Sequence, residues 1–395
     1  MIRVEVTETG HAQTWLTPEQ GRRLADSGVL TAAPSPYQPG MWDLSPTGTV
    51  GAARIGDVEV WIAPKLTIDR LLFLIGYAAD SKGWREETVL LDTRHGLIPA
   101  VAQALWRQSE RAVGRGLLQG YRTVEESSLV LRGRLREADQ VRRHYGLAIP
   151  MEIRHDEYTV DIPENQILLG AAIRMLTVPR LDAGSRRRLA ALRMRLADVT
   201  PPARGARLPA WQPSRLNHRY HTALRLAEIV WQATAPEHVP GSTAANGFLF
   251  NLWKIFEDFV TVAISEAMQA NHLGTASPQH PCHLDEALAV RMKPDLVWER
   301  AGRPVAVLDA KYKRERPAGY PDADLYQMLA YCTALGLRRG HLVYAAGAAE
   351  PARHIVRHAG VEIRCHALDL AQPPQLLLAQ IRRIGDDLLA DPLPL

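Results

Sequence analysis

Lys293-Pro294-Asp295-Leu296-Val297-Trp298, followed by Val305-Ala306-Val307-Leu308-Asp309-Ala310-Lys311-Tyr312, decides how the last third of the chain folds. Both runs are short and rich in β-branched residues. Residues 299–304 between them supply Gly302 and Pro304 for a turn. Two such strands form a hairpin. Side chains alternate along a strand, so Asp309 and Lys311 share one face and Ala306, Leu308 and Ala310 take the other. Asp295, at the start of the first strand, can then meet Asp309 across the hairpin.

The resulting pattern, Asp-x13-Asp-x-Lys, carries a specific chemistry. Two or three carboxylates make a site for a hard cation, Mg²⁺ first and Mn²⁺ as an alternative. Such an ion stabilises charge developing on a phosphate and lowers the pKa of water. A lysine two residues beyond an acidic ligand can orient that water and offset negative charge. Phosphodiester hydrolysis uses this set. A lone D-x-K arises often by chance. Its combination with Pro294-Asp295, a turn and flanking strands is far less common.

Upstream, residues 248–268 are predicted as a helix with Trp253, Phe256, Val260 and Ile264 in one apolar stripe. Glu257 falls at the edge of that buried face, where an acid needs a partner. Asp258 points toward solvent. Downstream, residues 323–335 form a second predicted helix with Leu325, Met328, Leu329 and Cys332 inward. Gln327 and Tyr331 stand at i and i+4 on a neighbouring face, within reach of DNA phosphate or the water of the metal site. A polar helix edge is the alternative reading of that pair. Residues 341–346 and 361–368 are predicted strands. The fold class is therefore α+β with mixed α/β character: a central mixed sheet flanked by helices.

The remaining sequence bounds the setting. A chain of 395 residues has room for two or three domains, and 46% apolar with 23% charged residues is ordinary for a globular protein. The longest apolar run, near residues 71–79, is far short of the roughly 20 residues a spanning helix needs. The start, Met1-Ile2-Arg3-Val4-Glu5-Val6, alternates like a strand and lacks signal-peptide features. Three cysteines without C-x-x-C spacing fit a reducing, cytoplasmic location. His280-Pro281-Cys282-His283 offers no four-ligand zinc spacing, because Cys332 and Cys365 are isolated, and a solvated loop is expected there. No G-x-x-x-x-G-K-[ST] is present, so the chain itself is not expected to hydrolyse nucleotide.

Residues 1–65 look β-rich, with a helix starting at Thr17-Pro18-Glu19-Gln20. Residues 68–79, 98–116, 163–177, 186–197 and 215–233 are predicted helices, and residues 129–135 a strand. Residues 200–213, with Pro201, Pro202, Pro209 and Pro213, interrupt the helices. The expected organisation is 1–145, β-rich and helical; 146–241, helical and Arg-rich; and 242–395, carrying the acidic motif. Residues 180–225 hold eleven Arg against Asp182 and Asp198, consistent with either a phosphate-facing surface or a solvated helix face. Arg132, Arg134 and Arg136 are read as an alternating strand edge. Trp42 and Trp61 are read as core residues before interface anchors.

These residues resemble the PD-(D/E)xK nuclease superfamily, and more narrowly the McrC family, the nuclease subunit of McrBC-type restriction systems. The likeness extends to Gly247-Phe248-Leu249-Phe250-Asn251-Leu252-Trp253-Lys254-Ile255-Phe256-Glu257-Asp258-Phe259-Val260 and to Asp324-Leu325-Tyr326-Gln327-Met328-Leu329-Ala330-Tyr331. Weaker similarity covers Leu131-Arg132-Gly133-Arg134, Asp156-Glu157-Tyr158, Glu164-Asn165-Gln166-Ile167-Leu168 and Ile62-Ala63-Pro64-Lys65. The resemblance implies a C-terminal nuclease domain acting on DNA. It also implies an N-terminal region that docks on a McrB-like hexameric AAA+ GTPase and stimulates it, with recognition of methylcytosine left to that partner. It assigns Asp295 and Asp309 as metal ligands, Glu257 as an auxiliary ligand, Lys311 as the water-orienting lysine, and Gln327 and Tyr331 as supporting residues. One centre per chain implies that double-strand cleavage needs two copies or two events. A partner-independent nuclease of repair or recombination and a non-catalytic GTPase activator remain the alternatives.

Overall fold

The computed structural model describes residues 1–79, 96–145, 147–179, 181–203, 206–233, 245–271, 273–312, 321–345 and 352–389. The expected boundary at 241/242 lies outside the described residues.

The chain opens with β1 (Ile2–Thr7), β2 (Ala12–Trp15), α1 (Pro18–Asp26), β3 (Leu30–Pro34), β4 (Met41–Pro46), β5 (Thr49–Ile55) and β6 (Val58–Ala63). Helix α1 starts where the sequence places it. The Thr17 hydroxyl accepts the Gln20 N–H at 3.2 Å, and the Gln20 side chain accepts the Thr17 N–H at 2.9 Å. β3 and β2 flank β4 in one small antiparallel sheet, and β1 pairs with β6 in parallel in another. Val58, Val60 and Ile62 alternate into the core as expected, and Trp42 is a core residue.

The middle of the chain contains α2 (Ile68–Ala79), α3 (Leu97–Val113), β7 (Gly120–Ser128), β8 (Arg134–Leu135), α4 (Glu137–His144), β9 (Met151–Thr159), α5 (Pro163–Thr177), α6 (Ala183–Arg195) and α7 (His221–Ala233). The strand expected over 129–135 shrinks to two residues, and β7, which the alternation rule missed, is the long one. No residue of β7 is buried, so it has no apolar face to read. Arg136 is not on the strand face: it caps α4 and meets Glu125, at 3.0 Å, together with Asp139. Several arginines of the 180–225 segment are used internally. Arg195 meets Glu110 at 2.8 Å, and the Arg188 guanidinium lies 4.9 Å from the Trp106 ring centre.

The last part contains β10 (Ala245–Asn251), α8 (Leu252–Asn271), β11 (Thr275–Pro278), β12 (Cys282–His283), β13 (Arg291–Met292), β14 (Leu296–Arg300), β15 (Arg303–Lys311), α9 (Asp322–Leu335), β16 (Arg339–Tyr344), β17 (Ala352–Val356), β18 (Val361–Ala367) and α10 (Pro374–Leu389). Here the helix predicted over 248–268 needs correction. Residues 248–251 belong to a strand, because Phe248 and Phe250 are both buried at strand spacing. Strand β10 pairs antiparallel with β5 of the first sheet. Gly51 permits that close approach: a Cβ there would sit 2.0 Å from the Phe248 carbonyl oxygen. The Asn251 side chain then accepts the Lys254 N–H at 3.2 Å and starts α8. Trp253 also departs from expectation and is exposed, lying over the turn at Gly48.

The main sheet has strand order β11-β14-β15-β16-β18-β17. β14 and β15 form the predicted hairpin with Leu296 opposite Leu308, and β15, β16 and β18 run parallel. Ala301 and Gly302 both have positive φ, as a tight two-residue hairpin turn requires. The sheet separates two cores. Leu296, Leu308 and Val343 pack with Phe256, Phe259 and Val260 of α8 and with Leu377 and Ile381 of α10. On the other side Val307, Leu342, Tyr344 and Cys365 pack with Met328, Tyr331 and Cys332 of α9. Gly340 brings α9 down onto β16, where a Cβ would meet Met328 Sδ at 2.4 Å. Among the described residues, no helix is long and apolar enough to cross a membrane.

Candidate active site

The hairpin carries its acids as the strand period predicts. Asp309 is buried near the end of β15, and Asp295, also buried, precedes the first residue of β14. The Ala310 N–H donates to Asp295 Oδ2 at 2.8 Å, which locks the first acid beside the second. Lys311, on the same strand face as Asp309, places Nζ on Asp309 Oδ2. Nζ also donates to Gln327 Oε1 at 2.6 Å. Thus α9 reaches the site through Gln327, one of its two expected contributions. The other, Tyr331, is buried on the same helix, and its hydroxyl is pushed up by burial and by the nearby charges of Asp309 and Asp295.

Glu257 arrives from α8 and joins through a residue that carries no charge. The Gln279 side-chain nitrogen donates to both Glu257 Oε1 and Asp295 Oδ1, the latter at 3.0 Å. The Gln279 N–H also donates to the Asp295 carbonyl at 2.9 Å, and its φ of 49° bends the chain just after β11. Nothing in the local sequence marks Gln279. Its role depends on the β11–β14 pairing, which is a non-local contact.

Buried acids dominate the electrostatics of the site. Burial, then the neighbouring Asp309, pushes the Asp295 carboxyl up to about 7. Burial raises Asp309 as well, against the opposing pull of Lys311. Lys254 reaches Glu257 at 3.0 Å and Asp258 at 2.8 Å. Among the described residues, Lys254 and Lys311 face four carboxylates, Glu257, Asp258, Asp295 and Asp309. All-oxygen donors with an excess of negative charge fit a hard divalent cation. Asp295, Asp309 and Glu257 are the residues that could hold one.

The site is tied to the first sheet. Tyr312, next to Lys311, is raised by burial and by a hydrogen bond to Glu8, and Glu8 accepts the Lys65 N–H at 3.1 Å. Residues 280–283, expected as a solvated loop, instead include the short strand β12 paired with β13, while His280 lies 3.0 Å from Ser277 and 3.3 Å from Glu299.

Over residues 44–345 the sequence matches the family model described as McrBC, the McrBC 5-methylcytosine restriction system component. The chain belongs to the McrBC family. No curated protein matches it. Among solved structures, the McrBC-family chain is similar to a chain of the refined half-complex from a tetradecameric assembly of Thermococcus gammatolerans McrB AAA+ hexamers with bound McrC. The likeness has TM-score 0.58 and 15% identity, and it covers 98% of this chain and 99% of the other. A chain of the Thermococcus gammatolerans McrBC complex, solved by cryo-EM, is matched at TM-score 0.41 and 16% identity over 67% of this chain and 88% of the other. The expected McrC-type identity thus holds at the level of family and mixed α+β fold.

Proposed function

We propose that this McrBC-family chain is the Mg²⁺-dependent DNA endonuclease subunit of a restriction complex. In this reading it cuts modified, methylcytosine-containing foreign DNA together with a McrB-like AAA+ GTPase that it stimulates. The observation that carries the reading is the convergence of Asp295, Asp309, Lys311 and, through Gln279, Glu257 at one end of the hairpin. The family match and the McrB-bound relative support the restriction setting.

Asp295, Asp309 and Glu257 would hold the cation. When bound, it would supply charge stabilisation at the scissile phosphate and acidify water. Lys311 Nζ, held between Asp309 and Gln327, is placed to orient the attacking water and to offset charge on the phosphate. Gln327 fixes the lysine rather than touching phosphate. Tyr331 keeps its proton and can donate it as a hydrogen bond toward the acids. The partner-facing role goes to residues 1–145, the helical Arg-rich role to 146–241 and DNA cleavage to 242–395. Two copies would be needed for a double-strand break.

The test is plasmid cleavage with Mg²⁺ on modified and unmodified DNA, with and without the AAA+ partner and GTP. Cutting that requires modified DNA, partner and GTP, and is lost in Asp309→Ala, is expected. Cleavage by the chain alone would replace this reading with a free-standing nuclease. GTPase stimulation without cleavage would reduce the chain to an activator.

A further inference from the structure

A second cluster of ligand-type side chains lies across the main sheet from the acidic site. His341 of β16 and His366 of β18 are both buried, with His341 Nδ1 and His366 Nε2 2.9 Å apart and the rings stacked at 9°. They share the face of Val343, toward α8 and α10, whereas Asp309 and Leu342 pair on the opposite face. Asp387 of α10 completes the group, its Oδ2 3.7 Å from His366 Nε2. One ligand atom from each of the three residues lies within 4.8 Å of the other two.

We infer that His341, His366 and Asp387 form a binding site for a divalent transition metal of the Zn²⁺ class, distinct from the Mg²⁺ site. Donors bound at about 2.0–2.1 Å around a tetrahedral ion stand about 3.3 Å from one another. The observed 2.9 Å and 3.7 Å fall on either side of that spacing, and the two imidazole nitrogens, which face each other head-on, must part and turn toward a common ion. Two imidazoles and a carboxylate suit zinc better than magnesium.

The surroundings support this assignment. Two imidazoles meeting nitrogen to nitrogen share only one proton, which a metal would displace. Arg364 donates to Asp387 Oδ1 and orients the carboxylate, while Glu362 engages Arg364 at 2.9 Å and Arg353 at 2.5 Å. A cavity of about 560 Å³, lined by His366, Asp387 and Gln380 and also by Arg353, Arg364 and Arg383, gives access and room for water as a fourth ligand. The metal would clamp α10 to the β16–β18 pair.

The test uses the full chain carrying Asp295→Asn and Asp309→Asn, which removes the acidic site as a competitor. Zn²⁺ titration by calorimetry without Mg²⁺ should give one site per chain. Adding Asp387→Asn or His366→Gln should weaken that site at least about 100-fold, beyond what loss of an outer-shell partner does. X-ray absorption of the zinc-loaded double variant should show two imidazoles and no sulfur. Absence of one-to-one binding, equal binding after Asp387→Asn, or a thiolate-ligated zinc would each overturn the assignment. Because the acidic site is disabled throughout, the result does not depend on nuclease activity.

Discussion

Asp295 Oδ2 accepts the backbone N–H of Ala310 at 2.8 Å, so the first acid is tied to the residue between Asp309 and Lys311. The Asp295 carboxylate thus braces the hairpin, so replacements at Asp309 and Lys311, or one at Asp295 that keeps an acceptor, test chemistry with the least disturbance of the scaffold.

Lys311→Ala and Asp309→Ala should each reduce cleavage at least about 100-fold, the scale of losing one well-placed charged group at a reacting phosphate. Far-UV circular dichroism and GTPase stimulation of the partner should stay at wild-type level. Unchanged cleavage by both variants would remove the hydrolytic reading.

Asp295→Asn should raise the melting temperature of the metal-free chain at pH 8. The folded Asp295 carboxyl titrates at about 7, above the value of about 3.9 for an unperturbed Asp. Between those values the folded state binds more protons than the unfolded state, so stability falls as pH rises. Asparagine removes that loss, on the order of 4 kcal/mol at pH 8, and the advantage should vanish toward pH 4. A pH-independent difference in melting temperature would contradict this account. Proton and cation compete for the same oxygens, so Mg²⁺ affinity should drop below pH 7.

Gln279→Ala should lower cleavage about 10–100-fold at limiting Mg²⁺ and much less at saturating Mg²⁺, as for residues that orient metal ligands. This follows from its donation to both Glu257 and Asp295. Equal loss at every Mg²⁺ concentration would argue for a different role.

Gly340→Val should impair both stability and cleavage. A side chain there displaces Met328 and Cys332 of α9, the helix that carries Gln327. Overpacking of this kind costs about 1–3 kcal/mol, readable as a lower urea midpoint. Wild-type stability would show that α9 can shift freely.

The sequence was most informative where one local period decides the outcome. Asp309 and Lys311 share a face because strand residues two apart always do, and the turn chemistry of Gly302 and Pro304 pointed to the hairpin that sets Asp295 beside them, its turn formed at Ala301-Gly302. Gln327 was legible from helical spacing to Tyr331. The failures share a cause. Phe248 and Phe250 fit a helix continuing from α8 until β5 offers a partner edge, a contact nearly two hundred residues away in the chain. Gln279 is invisible because its importance comes from two acids on other elements. His341 and His366 lie on adjacent parallel strands, and no spacing rule links them.

The pairing of β10 with β5 has a consequence for how the chain can be divided. The covalent connection between α7 and β10 is not what joins the two halves. β10 hydrogen-bonds along the edge of the first sheet, Phe259 of α8 meets Phe73 of α2 at 5.6 Å, and Tyr77 donates to Glu266 at 2.8 Å. A gene split between codons 233 and 245 would thus encode two polypeptides expected to find each other when co-expressed and to elute as one species. A C-terminal half begun at Leu252 and paired with an N-terminal half ended at residue 233 would lack β10 altogether, leaving β5 with an open edge that invites the wrong strand.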